Sequence, residues 1–269
     1  MTQRSWAGRV VVVTGGSSGV GAAVCRMLAM QGAALVINYS RDAKLAEQVA
    51  SQCKALGGDA VTVRGTVAED PDCVTVASEA VARWGRIDAL VNSAGTTQFV
   101  SMSDLDGVQA DDFQRVYAVN AVGPFQMARA VARHMSDGSA IVNVSSVAGQ
   151  LGSGSSFPYV MSKASLNILT VGLARVLAPR IRVNAVLPGL IEGRWMRDGL
   201  GEEVYERVKA QYAQTAALGR VSRPEQIASA VCWLLDPECV VTGQQIVVDA
   251  GFMLGKPPSA TGGAARPGP

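Results

Sequence analysis

The sequence predicts one α/β domain built on a doubly wound parallel sheet. Three observations carry that expectation. Short strands without a polar face alternate with amphipathic helices, the connections between them are brief, and 48% hydrophobic residues in a chain of 269 can fill one large core. A β-α-β alternation of this kind covers both faces of a sheet with helices.

The first strand is expected over 9–14, four consecutive valines between Arg9 and Thr14, and the first helix over 20–31. Strands follow over 34–39, 60–64 and 87–92, with helices over 44–56 and 71–84 between them. In the earlier of these helices Leu45, Val49, Cys53 and Leu56 share one face, and Gly57-Gly58 supply the stop. In the later one Asp70 is the expected N-cap and Pro71 fills the first helical position, where a missing N–H costs nothing. The second half repeats the theme. A long helix ends near His134, and then come a strand over 140–145, a helix over 159–177, a strand over 181–186, a helix over 224–235 and a strand over 245–249. Residues 192–220 are helical but polar, with Trp195, Met196, Leu200, Tyr205, Val208 and Tyr212 as apolar exceptions, and read as a substrate lid inside a domain of 1–254. The tail over 255–269 has four prolines, four glycines and little to bury, which predicts disorder.

Charge and cysteine usage narrow the function. The net charge of +2 comes from 24 basic and 22 acidic residues without long like-charge blocks, so the expected partner is a small molecule and neither nucleic acid nor membrane. Residues 1–16 hold only the short apolar run Val10 to Val13, too brief for a signal-peptide core or a spanning helix, and a cytoplasmic protein is expected. Cys25, Cys53, Cys73, Cys232 and Cys239 are odd in number and lack C-x-x-C spacing, so reduced thiols are expected and no metal site. His134 is the sole histidine and sits at a helix end, where the macrodipole favours it; a Ser-His-Asp hydrolase is thereby implausible.

Directly after the first strand comes Thr14-Gly15-Gly16-Ser17-Ser18-Gly19-Val20-Gly21, opening a helix. Glycine lets the backbone approach a pyrophosphate, and the helix N-terminus adds free N–H groups and the positive end of a dipole. No Gly-Lys-Ser/Thr follows, so this is not a Walker A loop. At the end of the second strand an acidic residue would bond the ribose of NAD; Asn38-Tyr39-Ser40-Arg41 stands there instead, and Ser40 with Arg41 suits the 2'-phosphate of NADP. Tyr159 and Lys163 are four apart at the start of a helix and so share a face, where an ammonium would pull a phenol down from ~10. Ser145-Ser146 closes the strand before them.

With these motifs the chain resembles the short-chain dehydrogenase/reductase family, a Rossmann fold, and in particular its 3-oxoacyl-acyl-carrier-protein reductase-like members. The resemblance covers about Trp6 to Leu254 and rests on the glycine loop, Asn92-Ser93-Ala94-Gly95, Asn120, Ser146, Tyr159, Lys163 and Pro188-Gly189. It implies that Tyr159 passes a proton to or from the substrate oxygen, Ser146 bonds that oxygen, Lys163 bonds the nicotinamide ribose and tunes Tyr159, and Asn120 anchors a relay water. It implies that the dinucleotide is held by Gly15, Ser17, Ser18, Gly19, Val20, Ser40, Arg41, Thr66, Val67, Asn92, Ala94, Gly95, Tyr159, Lys163, Pro188, Gly189 and Ile191. It also implies a homotetramer. Three positions depart from the family pattern: Ser93 replaces a second asparagine, Thr66 an acidic residue near the adenine, and Gly193 a threonine that bonds the carboxamide.

The expected substrate is a hydrophobic ketone or 3-oxoacyl thioester, in a pocket flanked by Thr97, Gln98, Phe99, Gln150, Trp195 and Tyr205 among others. Two alternatives stand beside it. One is an NAD-dependent alcohol, sugar or steroid dehydrogenase; the other is a dinucleotide sensor on the same fold without turnover.

Overall fold

The structure is a computed structural model that describes residues 6–255; apart from Gly255, the expected tail lies outside the described residues. Seven parallel strands form one sheet in the order β3-β2-β1-β4-β5-β6-β7. They are β1 (Val10–Thr14), β2 (Ala34–Tyr39), β3 (Asp59–Arg64), β4 (Ile87–Asn92), β5 (Met135–Val144), β6 (Ile181–Pro188) and β7 (Gln245–Val248). The order reverses between β1 and β4, and the crevice at the carboxyl ends of such a pair is where ligands enter open α/β sheets.

The two-residue strand period shows why both faces are covered. Along β1, Val11 and Val13 join the core under α1 (Gly19–Ala29), α2 (Ala43–Ala55) and α10 (Pro224–Leu235). Val10 and Val12 join the opposite core, under α3 (Asp70–Trp84), α5 (Gly123–Ala132) and α7 (Phe157–Leu177). Each of these valines is buried, so a polar substitution on either face would meet a helix.

Four local details differ from expectation. The α3 helix starts one residue early, with Glu69 as N-cap, because the Cys73 N–H already bonds the Glu69 carbonyl at 3.2 Å, and the Asp72 carboxylate turns back to accept the Thr66 N–H at 2.8 Å. The long helix before His134 is three pieces: α4 (Ala110–Tyr117), a π-helical turn (Ala118–Val122) and α5. Pro124 explains the break, since it has no N–H to offer the carbonyl of Asn120 four residues back. Strand β5 begins at Met135, which pairs with Ile87 across a register shift before Ala140. Finally, α7 starts at Phe157, where Ser156 accepts from the Tyr159 N–H and Pro158 sits in the first turn.

By length and composition α7 is the one helix among the described residues able to cross a membrane. It is occupied differently here, since its buried face carries Tyr159, Ser162, Lys163, Asn167 and Thr170 against the sheet. A further short helix, α6 (Ala148–Leu151), follows β5. The polar region after β6 is two helices, α8 (Arg194–Leu200) and α9 (Glu202–Thr215), separated by Gly201 at φ 77°. The five cysteines are unpaired, and burial pushes Cys53 up to about 11 and Cys73 and Cys232 up to about 12, which keeps them as thiols.

Candidate active site

The glycine loop sits at the switch point, and its glycines divide three tasks. Gly15 (φ 62°) lies against the loop after β4: an added Cβ would stand 2.8 Å from the Ala94 Cα. Gly21 is pressed on the loop itself, its Cβ position 2.5 Å from the Gly15 carbonyl oxygen. Only Gly19 (φ 51°) faces open space, with nothing within 4 Å of an added Cβ. It begins α1, whose N-cap Ser18 makes no capping hydrogen bond, so the N-terminal N–H groups point where a pyrophosphate can take them. Thr14 pins the second wall, its Oγ1 accepting from the N–H groups of Ser93 and Ala94 at 3.1 Å. These features fit a dinucleotide.

Ser40 and Arg41 are exposed at the end of β2 and directly precede Asp42, the N-cap of α2. The Asp42 carboxylate is engaged, accepting from the Leu45 N–H at 3.0 Å. Thr66 and Val67 follow β3, and the Val67 carbonyl accepts from Gln126 at 2.8 Å. Asn92 is buried at the end of β4; it donates to Asn143 at 2.9 Å while its own Oδ1 lacks a partner. Pro188, Gly189 and Ile191 leave β6, and Ile191 bridges to Ser222. Gly189 has an unforeseen neighbour, because an added Cβ would collide with the Tyr212 hydroxyl.

Tyr159, Ser146, Lys163 and Asn120 come together below this crevice. The first two turns of α7 lay Tyr159 and Lys163 on one face, the Lys163 Nζ 5.7 Å from the phenol ring centroid and donating to the Val144 carbonyl at 2.9 Å. Ser146 stands beside the Tyr159 phenol and pulls its pKa down, and its Oγ accepts the Ala148 N–H at 3.1 Å, which fixes its rotamer. Asn120 projects from the π-helical turn. Its Oδ1 accepts the Thr96 N–H at 2.8 Å, and its Nδ2 donates to the Thr96 carbonyl at 2.9 Å and to Ser162 Oγ at 3.0 Å. Ser162 in turn donates to the Tyr159 carbonyl at 2.7 Å. Gly95 keeps this corner open, its Cβ position 3.6 Å from Asn120 Oδ1 and 3.9 Å from Lys163 Nζ.

Electrostatics here differ from the simple expectation of an ammonium lowering a phenol. Burial pushes Tyr159 up to about 12, against the opposing pull of Ser146. Burial likewise lowers Lys163 to about 8. The phenol is therefore a protonated donor across the neutral range.

Above Tyr159, Trp195 of α8 lies 6.0 Å from its ring and 6.5 Å from that of Phe99, edge to face. The polar groups expected to line this space are committed elsewhere. Gln98 donates to Asp112 and accepts from Arg115, Thr97 pairs with Ser155 at 2.6 Å, and Gln150 donates to Gln245 at 3.0 Å. Tyr205 is fully buried as packing for α9. A surface recess lined by Glu192, Arg220, Val221, Arg223 and Gln226 includes none of the four central side chains.

Sequence reasoning quoted Thr14 in the glycine loop and Tyr212 in the lid but gave no holding role to them, nor to Ser156 or Ser162. Only Ser156, a serine ahead of Phe157-Pro158, carries a local signal, that of an N-cap.

Comparison with known proteins finds relatives along most of the chain. A family model described as enoyl-(acyl carrier protein) reductase matches residues 15–253. The chain is 35% identical to cis-4-hydroxycyclohexanecarboxylate dehydrogenase of Sinomonas cyclohexanicum, over 92% of this chain and 98% of the relative. It is 32% identical to a 3-oxoacyl-[acyl-carrier-protein] reductase of Synechocystis, over 91% and 97%. A solved short-chain dehydrogenase/reductase from Serratia marcescens superposes with a TM-score of 0.84 at 34% identity, over 92% of this chain and 98% of that one. The glycine cradle, the parallel sheet and these matches together show that the chain belongs to the short-chain dehydrogenase/reductase family of NAD(P)-dependent oxidoreductases.

Proposed function

We propose that the protein reduces a hydrophobic ketone or a 3-oxoacyl thioester with NADPH, using Tyr159 as proton donor. The observation that carries this reading is the buried Tyr159 phenol, with Ser146 and Lys163 beside it, beneath an apolar roof whose neighbouring amides and hydroxyls are already paired. A sugar would need those groups free, so the hydrophobic substrate is favoured over the sugar alternative. A sensor without turnover would have no use for a phenol held between Ser146 and Lys163.

In this reading Gly15, Ser17, Ser18, Gly19 and Val20 hold the pyrophosphate, Ser40 and Arg41 the 2'-phosphate, and Thr66 and Val67 the adenine. Asn92, Ala94, Gly95, Pro188, Gly189 and Ile191 bound the nicotinamide end, where Lys163 and Tyr159 also reach. The nicotinamide supplies the hydride when bound. Ser146 and Tyr159 hydrogen-bond the carbonyl oxygen, which stabilises the negative charge that grows there. Tyr159 then gives its proton to that oxygen, and a phenol near 12 remains loaded for this at neutral pH. Lys163, near 8, and Asn120 stand behind it as the path by which the proton is replaced. The reverse reaction needs the phenolate, so alcohol oxidation rises with pH while reduction holds level through neutrality.

We further propose a homotetramer in the cytoplasm. Met161, Ile168 and Val176 form an exposed apolar stripe along α7, a face that a second copy would cover.

The test follows nicotinamide absorbance with NADPH and NADH over ketones, 3-oxoacyl thioesters and sugars. Tyr159→Phe is expected to cut turnover by about 10²- to 10⁴-fold while dinucleotide affinity stays. Arg41→Ala is expected to weaken NADPH and spare NADH. Equal turnover in Tyr159→Phe would sink the mechanism, and an unchanged cofactor preference would remove Arg41.

A further inference from the structure

The region expected to close over the site as one lid is two helices with opposite mechanics. The α9 helix is anchored. Tyr205 and Tyr212 are buried, the Tyr212 hydroxyl donates to the Asp249 carbonyl at 2.7 Å, its ring stacks on Phe252 at 4.2 Å, and Lys209 meets Glu192 at 3.0 Å. The α8 helix buries none of its residues. It lies between Gly193 and Gly201, and an added Cβ at either would meet nothing within 4 Å. Gly201, at φ 77°, holds a conformation that favours glycine. Arg197 links α8 to α9 twice, through an ion pair with Glu202 at 2.9 Å and over the Tyr205 ring at 5.0 Å from its centroid; exposure of Arg197 and Glu202 makes the ion pair weak, so a gate at Gly201 has to slide the guanidinium off that ring.

What α8 does touch is the site. Trp195, 48% exposed, reaches Tyr159 and Phe99, and Gly199 rests on the Phe99 ring so closely that an added Cβ would collide with it. The glycine at 199 therefore sets how far α8 can descend. From this geometry we propose that α8 alone is the gate, hinged at Gly193 and Gly201, and that Trp195 closing beside Phe99 selects substrates with a flat apolar group next to the carbonyl. This rests on the carbonyl-reducing reading above. A planar π-system offers an edge or a face to both rings, whereas a puckered ring of the same carbon count offers neither.

The experiment compares two ketones with the same carbon skeleton, acetophenone, which is flat, and cyclohexyl methyl ketone, which is puckered, with whichever nicotinamide the enzyme uses. The parent is expected to favour the flat ketone in kcat/KM by about 3- to 10-fold, the worth of one aromatic pair. Trp195→Ala should abolish that ratio mainly through KM, and Trp195→Phe should restore most of it. Gly199→Val should raise KM for both ketones, because the new side chain meets Phe99 before the gate is down. A parent without preference, a preference that survives Trp195→Ala, or an unmoved KM in Gly199→Val would each overturn the gate. A parent that turns over neither ketone, nor any other carbonyl compound, would instead overturn the reductase reading itself.

Discussion

Beneath Tyr159 the side chains of Asn120, Ser145, Ser162 and Lys163 are buried and held by hydrogen bonds of 2.7 to 3.2 Å, whereas above it α8 buries nothing. The contrast separates two requirements. Proton transfer tolerates little displacement, and a misplacement of about 1 Å can cost on the order of 10²-fold in rate. Recognition of an apolar group tolerates much more, since dispersion and burial are not directional. The floor is accordingly built from satisfied polar groups inside the sheet, and the roof from one helix between glycines.

The sharpest way to break the comparison is at Asn120. Asn120→Ala would leave the Thr96 N–H and carbonyl and the Ser162 hydroxyl without their present partner in a buried corner. A loss of about 1–3 kcal/mol is expected. Thermal unfolding should then fall by about 2–4 °C per kcal/mol, accompanied by a drop in kcat. A variant as stable and active as the parent would mean that the floor is not the rigid part.

A second probe uses charge. Lys163 is lowered from 10.5 to about 8 by burial, so between those values the unfolded chain binds the extra proton and stability rises with pH. Below about 8 the cost of the buried ammonium is present in full, about 3 kcal/mol at the usual conversion per pKa unit. Lys163→Met should be more stable than the parent at pH 7, less the value of the lost Val144 hydrogen bond, and that advantage should disappear by about pH 10.5. Urea unfolding of both proteins at pH 7, 8.5 and 10 reads the difference. A difference independent of pH would show that the lysine is not desolvated by the floor.

The fold was legible because strand and helix periods are local. Four β-branched valines in a row, stopped by Gly15 and Gly16, suit a strand covered on both faces, and Val10 to Val13 are divided between two cores as that implies. The motifs of the site were legible for the same reason, since Tyr159 and Lys163 share a helix face by spacing alone. What escaped depends on partners far along the chain. Gln98 and Gln150 look like free pocket amides until Arg115, Asp112 and Gln245 are seen to occupy them. Gly189 reads as a cofactor glycine, yet the Tyr212 hydroxyl fills the space its Cβ would take. The π-helical turn was hidden because apolar spacing runs on through it, and only the missing N–H of Pro124 marks the break.

The smallest expected effect is also the most discriminating between α8 and α9. Tyr212→Phe keeps the ring stacked on Phe252 and removes only the hydroxyl, so it leaves the Asp249 carbonyl without that donor. A net loss of about 0.5–1.5 kcal/mol follows, or a few degrees in thermal unfolding. If α9 belongs with the anchored floor, the ratio of flat to puckered ketone stays at the parental value in this variant. Trp195→Ala should show the reverse pattern, with the ratio lost and thermal stability nearly unchanged, because Trp195 is half-exposed. A Tyr212→Phe enzyme that loses selectivity as Trp195→Ala does would place α9 in the roof and extend the gate across both helices.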